Sequence, residues 1–531
     1  MAFLYETLNN WVPRRAKPWL GATLAIVLAG IASIALRQDS NWDLQNYHLY
    51  NAWAFVHDRF GIDWAPAQLQ SFYSPFLDLP FYALLAADVP PRLIAFALAI
   101  PTGIAWYFFA RVVAMLFDGS PPEIRAPAVV GAIAIGVTAP MSVSLIGLTM
   151  NDWYVAAFVM AAVWLVVRDS SAGALSTATL LAAGALVGAG AGLKLTGSIY
   201  CVGLMGGLLA TGGDWHARVR AALIAGCAIA VAFAVTAGPW MWLMYERYGN
   251  PVFPYFNDVF RSPWADPVAY SATRFGPSSA LEWLVFPFML LWKLQDYVSE
   301  AEFRDARPAL LYALALASIA LAWRMRAHAA PMPSPVGNSA AWRFIGAFFV
   351  TSLVAWALLY RIFRYLVPLE LLAGALIVFL LVRLVPRKRV PVALAAAVLL
   401  VIVTAKFPTW WRQKFEDHFL TVEMPAIKPD ALVLLVAAEP MSYVLPSFPA
   451  DARFAGLVNN FNDPDRKNRL QQTIAMLIRD HRGPLYALAV PPGRDEGGAA
   501  LASMRLARTS CQLIRTNLRV SPLELCELRR T

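Results

Sequence analysis

Charge is what this chain has least of. Of its 531 residues only 15% are Asp, Glu, Lys or Arg, while 59% are hydrophobic. A water-soluble globule could not hide that much apolar surface, so a bilayer must be the solvent for most of the chain. Cysteine is scarce as well. There are four, none in a CxxC or Cys/His spacing, which excludes zinc-finger and dithiol redox classes. No internal repeat of about 20–50 residues is visible, and a transporter built from repeats would show one. No small-residue cleavage site separates the run Trp19–Leu36 from the aromatic stretch after it, so that run reads as a retained span and not as a leader. The net charge of +10 would suit nucleic acid. The basic residues instead cluster in short loops between apolar runs, as orientation signals do, so no nucleic-acid partner is expected.

Apolar runs make up the remainder. A window of about 20 apolar residues finds about eleven membrane helices, at roughly 18–36, 92–116, 126–146, 152–168, 174–192, 196–211, 220–243, 309–326, 342–360, 365–383 and 391–406. Arg14, Arg15, Lys17, Arg111, Arg125, Arg168, Arg218, Arg220, Arg324, Arg326, Arg343, Arg383, Arg387, Lys388 and Arg389 then fall on one side. That side is the cytoplasm and carries the N-terminus, while the C-terminus lies outside. The expected fold is mainly α and polytopic: a transmembrane part over 1–405 and a small exterior α/β domain over 406–531. Exterior loops 37–91 and 244–308 each hold an interfacial helix, Phe76–Ala87 and Leu281–Leu291. In the tail, ALVLLVAAEP, RFAGLV and LYALAV read as strands and Leu470–His481 as a helix. The tail is expected to be structural or acceptor-binding. Cys511 and Cys526 are disulfide candidates in an oxidising compartment, closing a loop of about 15 residues worth ~3 kcal/mol; two free thiols are the alternative. Cys201 and Cys227 read as plain core residues.

The stretch NWDLQNYHLYNAWAFVHDRFGIDWAPAQLQSFYSPFLDLP comes directly after the first run. At helical spacing Asp43, Asn46, Tyr47 and Tyr50 share a face, and Trp42, Trp53, Phe55, Phe60, Trp64, Phe72 and Tyr73 suit the headgroup layer. Further charges interrupt apolar runs: Asp152 after Asn151 in GLTMNDWYVAAFVM, Lys194 in GAGLKLTG, and Arg361 and Arg364 in ALLYRIFRYLVPLELL. At membrane depth each costs about 2.5–3.5 kcal/mol, so such groups persist when paired or functional. The assumed topology puts all of them on the side of Asp43. Plainer roles exist for each. Asp43 could be an N-cap, Asp152 a cap of the fourth span, and Lys194 a snorkelling side chain. Arg361 could pair with Glu370 or headgroups. His48 and His57 read as interfacial polar residues, and Glu300, Glu302, Arg304, Asp305 and Arg307 as a solvated, salt-bridged loop. Arg304 and Arg307 are also candidates to contact a donor.

Guanidinium forks and an ammonium make an anion site suited to phosphate, and at the outer leaflet a lipid phosphate is the natural occupant. Asp43 could take a proton from an acceptor hydroxyl, while the cations stabilise a departing phosphate. Asp43, Asp152 and a phosphate would also offer hard oxygens to a divalent metal, though no spacing requires one.

In this order, NWDLQNYHLYN, SPFLDLPFY, ND after the third span, GLKLT after the fifth, GPWMWLMYERYGNPVFPYFN and RYLVPLE resemble the GT-C superfamily of integral-membrane glycosyltransferases. The resemblance is to the polyprenyl-phosphate-sugar-dependent members, of the protein mannosyltransferase and aminoarabinose transferase type. It implies Asp43 as base and Lys194, Arg361 and Arg364 on the lipid phosphate; Asp152, read from its own position, is a candidate second acid, acceptor ligand or metal ligand. The resemblance also implies a polyprenyl-phosphate sugar donor and a glycan, lipid or protein acceptor, at the periplasmic face of a bacterial inner membrane. Asn46, Tyr47, Tyr50 and Asn151 are candidate substrate contacts. Leu44 comes after Asp43 where some protein mannosyltransferase-like members have an Asp-Glu pair. A transporter or flippase for a lipid-linked glycan, a ligase using a diphosphate carrier, and a non-catalytic scaffold are the alternatives.

Overall fold

The computed structural model describes residues 18–172, 175–270, 275–292, 297–327, 339–491 and 497–531. Arg14, Arg15 and Lys17 lie outside them, as does the side chain of Arg326.

The apolar runs become helices: Pro18–Leu36, Pro91–Leu98 continuing as Ile100–Leu116, Pro122–Val137, Asp152–Ala172, Thr177–Leu193, Ser198–Leu209, Trp215–Tyr248, Arg307–Ala327, Ser339–Leu359, Val367–Leu384 and Val390–Val403. Among the described residues six segments are long and apolar enough to cross a membrane: Pro18–Leu36, Pro91–Leu116, Asp152–Ser170, Trp215–Tyr248, Ser339–Leu359 and Phe363–Leu384. The third expected span ends early, at Val137, and a short helix Pro140–Ser144 comes next. Pro140 disfavours helix for the residue before it, and Ala139 is extended there. Leu20, Leu24, Val231, Val235, Leu358 and Leu399 point outward; in water they would form a patch seeking a partner, and in lipid they are the proper surface. Cys227, expected in the core, is exposed among them. Helices Thr177–Leu193 and Trp215–Tyr248 pack backbone to backbone. A Cβ at Gly184 would come 2.4 Å from the Ala225 carbonyl oxygen, and one at Gly188 would lie 2.4 Å from that of Ile229.

The tail forms one six-stranded sheet: β1 Val422–Glu423, β2 Leu432–Val436, β3 Arg453–Val458, β4 Leu485–Ala489, β5 Leu506–Thr516 and β6 Leu523–Arg530. Its order is β1-β5-β6-β4-β2-β3. β2 runs parallel to β3 and β4, whereas the β4–β6, β5–β6 and β1–β5 pairs are antiparallel. β2 and β4 are buried on both faces, which is why they read as unbroken apolar runs. Cys511 and Cys526 face each other across β5 and β6 and are bonded.

Alternate residues of β2 serve two cores. Leu432, Leu434 and Val436 cluster with Leu470, Ile474 and Ile478 of helix Arg469–Asp480. Val433 and Leu435 cluster with Leu44, Tyr47, Leu49 and Tyr50. Here the structure corrects the expectation of a stretch laid in the headgroup layer, because Tyr47, Tyr50 and Phe72 are buried. The sheet needs a cover on that face, and the first loop supplies it. Trp64 also bridges Ala455 in parallel fashion, its N–H donating to Phe454 O at 2.9 Å, which shields the edge strand β3.

Candidate active site

Beyond Leu36 the chain is pinned at once. Asp39 accepts from Thr149 N and Oγ1 with one oxygen, at 2.8 and 2.9 Å, and from Asn41 N and Nδ2 with the other, at 2.9 and 2.7 Å. Asn41 Oδ1 in turn accepts the Leu44 N–H at 2.9 Å. Asn41 therefore fills the capping role open to Asp43, whose side chain makes no cap hydrogen bond. Leu44–His48 then winds as a π turn before the α-helix Leu49–Val56. The wider turn shifts the register, and the four residues expected on one face separate. Tyr50 donates to Asp63 at 2.8 Å. Asn46 donates to Ala67 O at 3.3 Å and to Gln70 Oε1 at 3.2 Å. Tyr47 stays within the field of Asp43; burial first, then that carboxylate, pushes its phenol well above its ordinary value.

Asp43 meets residues far along the chain. Arg364 Nη1 donates to its Oδ2 at 2.8 Å and stands 4.0 Å from Asp152 Oδ2. Lys194 Nζ donates to Asp152 Oδ1 at 2.5 Å and to Met150 O at 2.6 Å. The result is an alternating row of anion, cation, anion and cation. Asp152 sits in the first turn of its helix and Lys194 at the end of another, so each helix dipole favours the charge it carries. Tyr365 lies under both cations, its ring centroid 5.3 Å from Arg364 Cζ and 5.4 Å from Lys194 Nζ. Burial pushes the Asp43 carboxyl up, but Arg364, His48 and Lys194 together outweigh it, and the group ends below its usual range. The loop between Pro140–Ser144 and Asp152–Ala172 spreads its contacts three ways: Met150 O to Lys194, Asp152 to both cations, and Asn151 Nδ2 to Asp78 at 2.7 Å. Asn151 does this with φ 65°, a conformation Asn tolerates better than most residues.

The other expected residues lie apart from this row. Arg361 stacks its guanidinium 5.8 Å over Trp283, donates to Ala357 O at 3.0 Å, and pairs with no carboxylate among the described residues. Glu370 is not its partner, since it accepts from Ser142 N at 2.9 Å. Arg307 is a structural post. Its guanidinium is spent on Asp305 Oδ1 at 2.8 Å, Ile135 O at 2.7 Å and Thr138 Oγ1 at 2.7 Å. Asp305 and Arg307 are thus buried, which corrects the expectation of a solvated loop. Arg304 joins Lys406 through paired backbone hydrogen bonds of 3.1 Å.

Residues of no obvious promise in the sequence complete the surroundings. Glu300 lies within electrostatic reach of Arg364 and Tyr365. The phenols of Tyr73 and Tyr255 hydrogen-bond each other, and burial pushes Tyr255 up to about 12, so both stay protonated and able to donate. His48 and Asp78 pair at 2.8 Å. Asp43 and Asp152 would each have to release a cation before sharing a metal ion. Among the described residues the group of possible ligands near enough to share an ion is Cys511, Glu524 and Cys526, and its two thiols are joined to each other.

No protein-family model matches the chain, and no curated protein matches it. Among solved structures it is similar to ArnT from Cupriavidus metallidurans bound to undecaprenyl phosphate, with a TM-score of 0.53 and 13% identity over 97% of this chain and 98% of that one. It is similar to the same protein in the apo state, with a TM-score of 0.53 and 14% identity over 96% and 97% of the two chains. At such identity the likeness is one of fold, and it runs the length of both molecules.

Proposed function

We propose that this protein is an integral-membrane glycosyltransferase that moves a sugar from a polyprenyl-phosphate donor to an acceptor hydroxyl. The observation that carries the reading is the row Asp43–Arg364–Asp152–Lys194. It lies in a fold shared with a protein whose structure is bound to undecaprenyl phosphate. Lys194, Arg361 and Arg364 hold the lipid phosphate. Arg361 is free of any carboxylate among the described residues, and Arg364 and Lys194 can exchange a carboxylate oxygen for a phosphate one. Asp43 accepts the proton of the acceptor hydroxyl as that oxygen attacks the anomeric carbon from the face opposite the phosphate, a single displacement that inverts configuration. Asp152 keeps Lys194 and Arg364 aimed. Departure of the phosphate is helped by the same cations, which stabilise its growing charge.

The reading places the site at the periplasmic face of a bacterial inner membrane, with about eleven spans, a cytoplasmic N-terminus and residues 406–531 as a periplasmic domain. The far ends of two helices support this orientation: Arg168 lies toward the end of the helix whose first turn holds Asp152, and Arg383 is in the last turn of the helix that follows Arg364.

Purified protein supplied with a panel of polyprenyl-phosphate sugars tests it. Wild type should consume a donor, and Asp43→Asn should do so at least about 100-fold more slowly. Wild type that binds the lipid yet consumes no donor from any member would sink the reading in favour of transport.

A further inference from the structure

Close to Asp43 stands an acid–base pair that the reaction as described leaves idle. His48 Nδ1 lies 2.8 Å from Asp78 Oδ1, which also accepts from Asn151 Nδ2 at 2.7 Å. A carboxylate can only accept, so Nδ1 carries the hydrogen and Nε2 is the basic atom. That Nε2 is buried without a hydrogen-bond partner, on a residue only 2% exposed. A buried polar atom left unpaired calls for a cause. The π turn supplies the placement, because its i to i+5 repeat brings His48 back over Asp43.

The charges show what such an atom is for. Asp43, Asp78, Asp152 and Glu300 bring four negative charges, and Lys194, Arg364 and Arg361 three positive ones. A lipid phosphate entering that group meets an excess of its own sign, and transfer adds a further negative charge to the phosphate itself. When the bond from sugar carbon to phosphate oxygen breaks, its electron pair stays on the phosphate. The acceptor's O–H bond breaks as its oxygen bonds that carbon, and the proton passes to Asp43. Burial favours the neutral carboxyl there, but the surrounding positive charge, Arg364 foremost, overrides it, so Asp43 is a poor place for the proton to stay.

We propose that His48, oriented by Asp78, takes up this proton at Nε2 and keeps it while the lipid phosphate occupies the site. The imidazolium then balances the surplus carboxylate, with Asp78 as its counterion. His48 acts through Asp43 and is a positioning residue. The inference rests on the transferase reading above.

Undecaprenyl phosphate, the product-side lipid of that reading, is the probe. Its phosphate completes ionisation near pH ~6, so between about pH 7 and 8.5 the ligand adds little slope of its own. There the wild-type Kd should rise about tenfold per pH unit, and titrations in two buffers of unlike ionisation heat should register about one proton bound per lipid. Asp43, Tyr47 and Tyr154 face the pair, with Tyr73, Lys194 and Arg364 beyond them; all remain in every variant, so their contribution cancels in comparison. His48→Asn keeps a donor for Asp78 but not the base, and its Kd should be flat over the same range. Asp78→Asn should flatten it as well and serves if His48→Asn does not fold; the two-buffer titration of wild type needs no variant. Equal slopes in wild type and variants, or no proton uptake by wild type, overturn this inference and leave the transferase reading standing. Folded wild type that binds no undecaprenyl phosphate overturns both.

Discussion

Arg364 is the side chain on which the site turns, because its guanidinium reaches both Asp43 and Asp152. Lysine cannot present a planar fork, and hydrogen bonds to charged groups contribute about 1.5–3 kcal/mol. Arg364→Lys should therefore weaken undecaprenyl phosphate binding about 10–100-fold in a direct titration. Lys194→Ala leaves the Asp152 carboxylate buried with one neighbour fewer and should lower unfolding stability by about 3–5 kcal/mol; Asp152→Asn added to it should restore much of that. The Asp43 carboxyl lies below its unfolded value, so its pairing stabilises the fold fully above pH 3.8 and the contribution fades as pH falls through the lower folded value. In acid titrations followed by unfolding, wild type should lose stability relative to Asp43→Asn only below pH 3.8. Asp43, Lys194 and Arg364 were legible in the sequence because a charge beside an apolar run is costly and needs a reason. His48, Asp78, Glu300 and Tyr365 were not, since a polar or aromatic residue in a polar loop looks the same whether it faces water or a buried partner.

At the scale of elements the helices were legible from their apolar runs, and so were the parallel strands. β5 and β6 were missed. LARTSCQLIRT and LELCELRR interleave charges with apolar residues, and it is their pairing, with each other and with β1 and β4, that makes them strands. The π turn was missed for a related reason: it differs from α-helix by the position of a hydrogen bond, which no residue pattern announces. That single turn separated Tyr50 from Asp43 and brought Tyr47 and His48 toward it. The Cys511–Cys526 link ties β5 to β6 across 15 positions, a constraint worth about 3 kcal/mol in the chain-entropy picture. Cys511→Ser with Cys526→Ser should lower the melting temperature and leave undecaprenyl phosphate affinity unchanged.

For the whole molecule, the division into an apolar helical part and a polar tail was visible in composition, but their mutual dependence was not. The tail lies on the loop that carries Asp43. Gln38 donates to Phe419 O at 2.7 Å, Gln45 to Leu518 O at 3.0 Å, and Ser442 Oγ to Pro66 O at 2.7 Å. A chain ending at residue 405 would uncover Leu44, Tyr47 and Tyr50, and it should fail to bind undecaprenyl phosphate even where its helices insert. These contacts reach across the length of the chain, Arg59 to Ala452 spanning 393 positions. A ribosome makes the loop among the first segments and its cover among the last. The carboxylate therefore has no fixed post until translation is nearly over, and a copy stalled halfway lacks the row of charges on which the proposed activity rests.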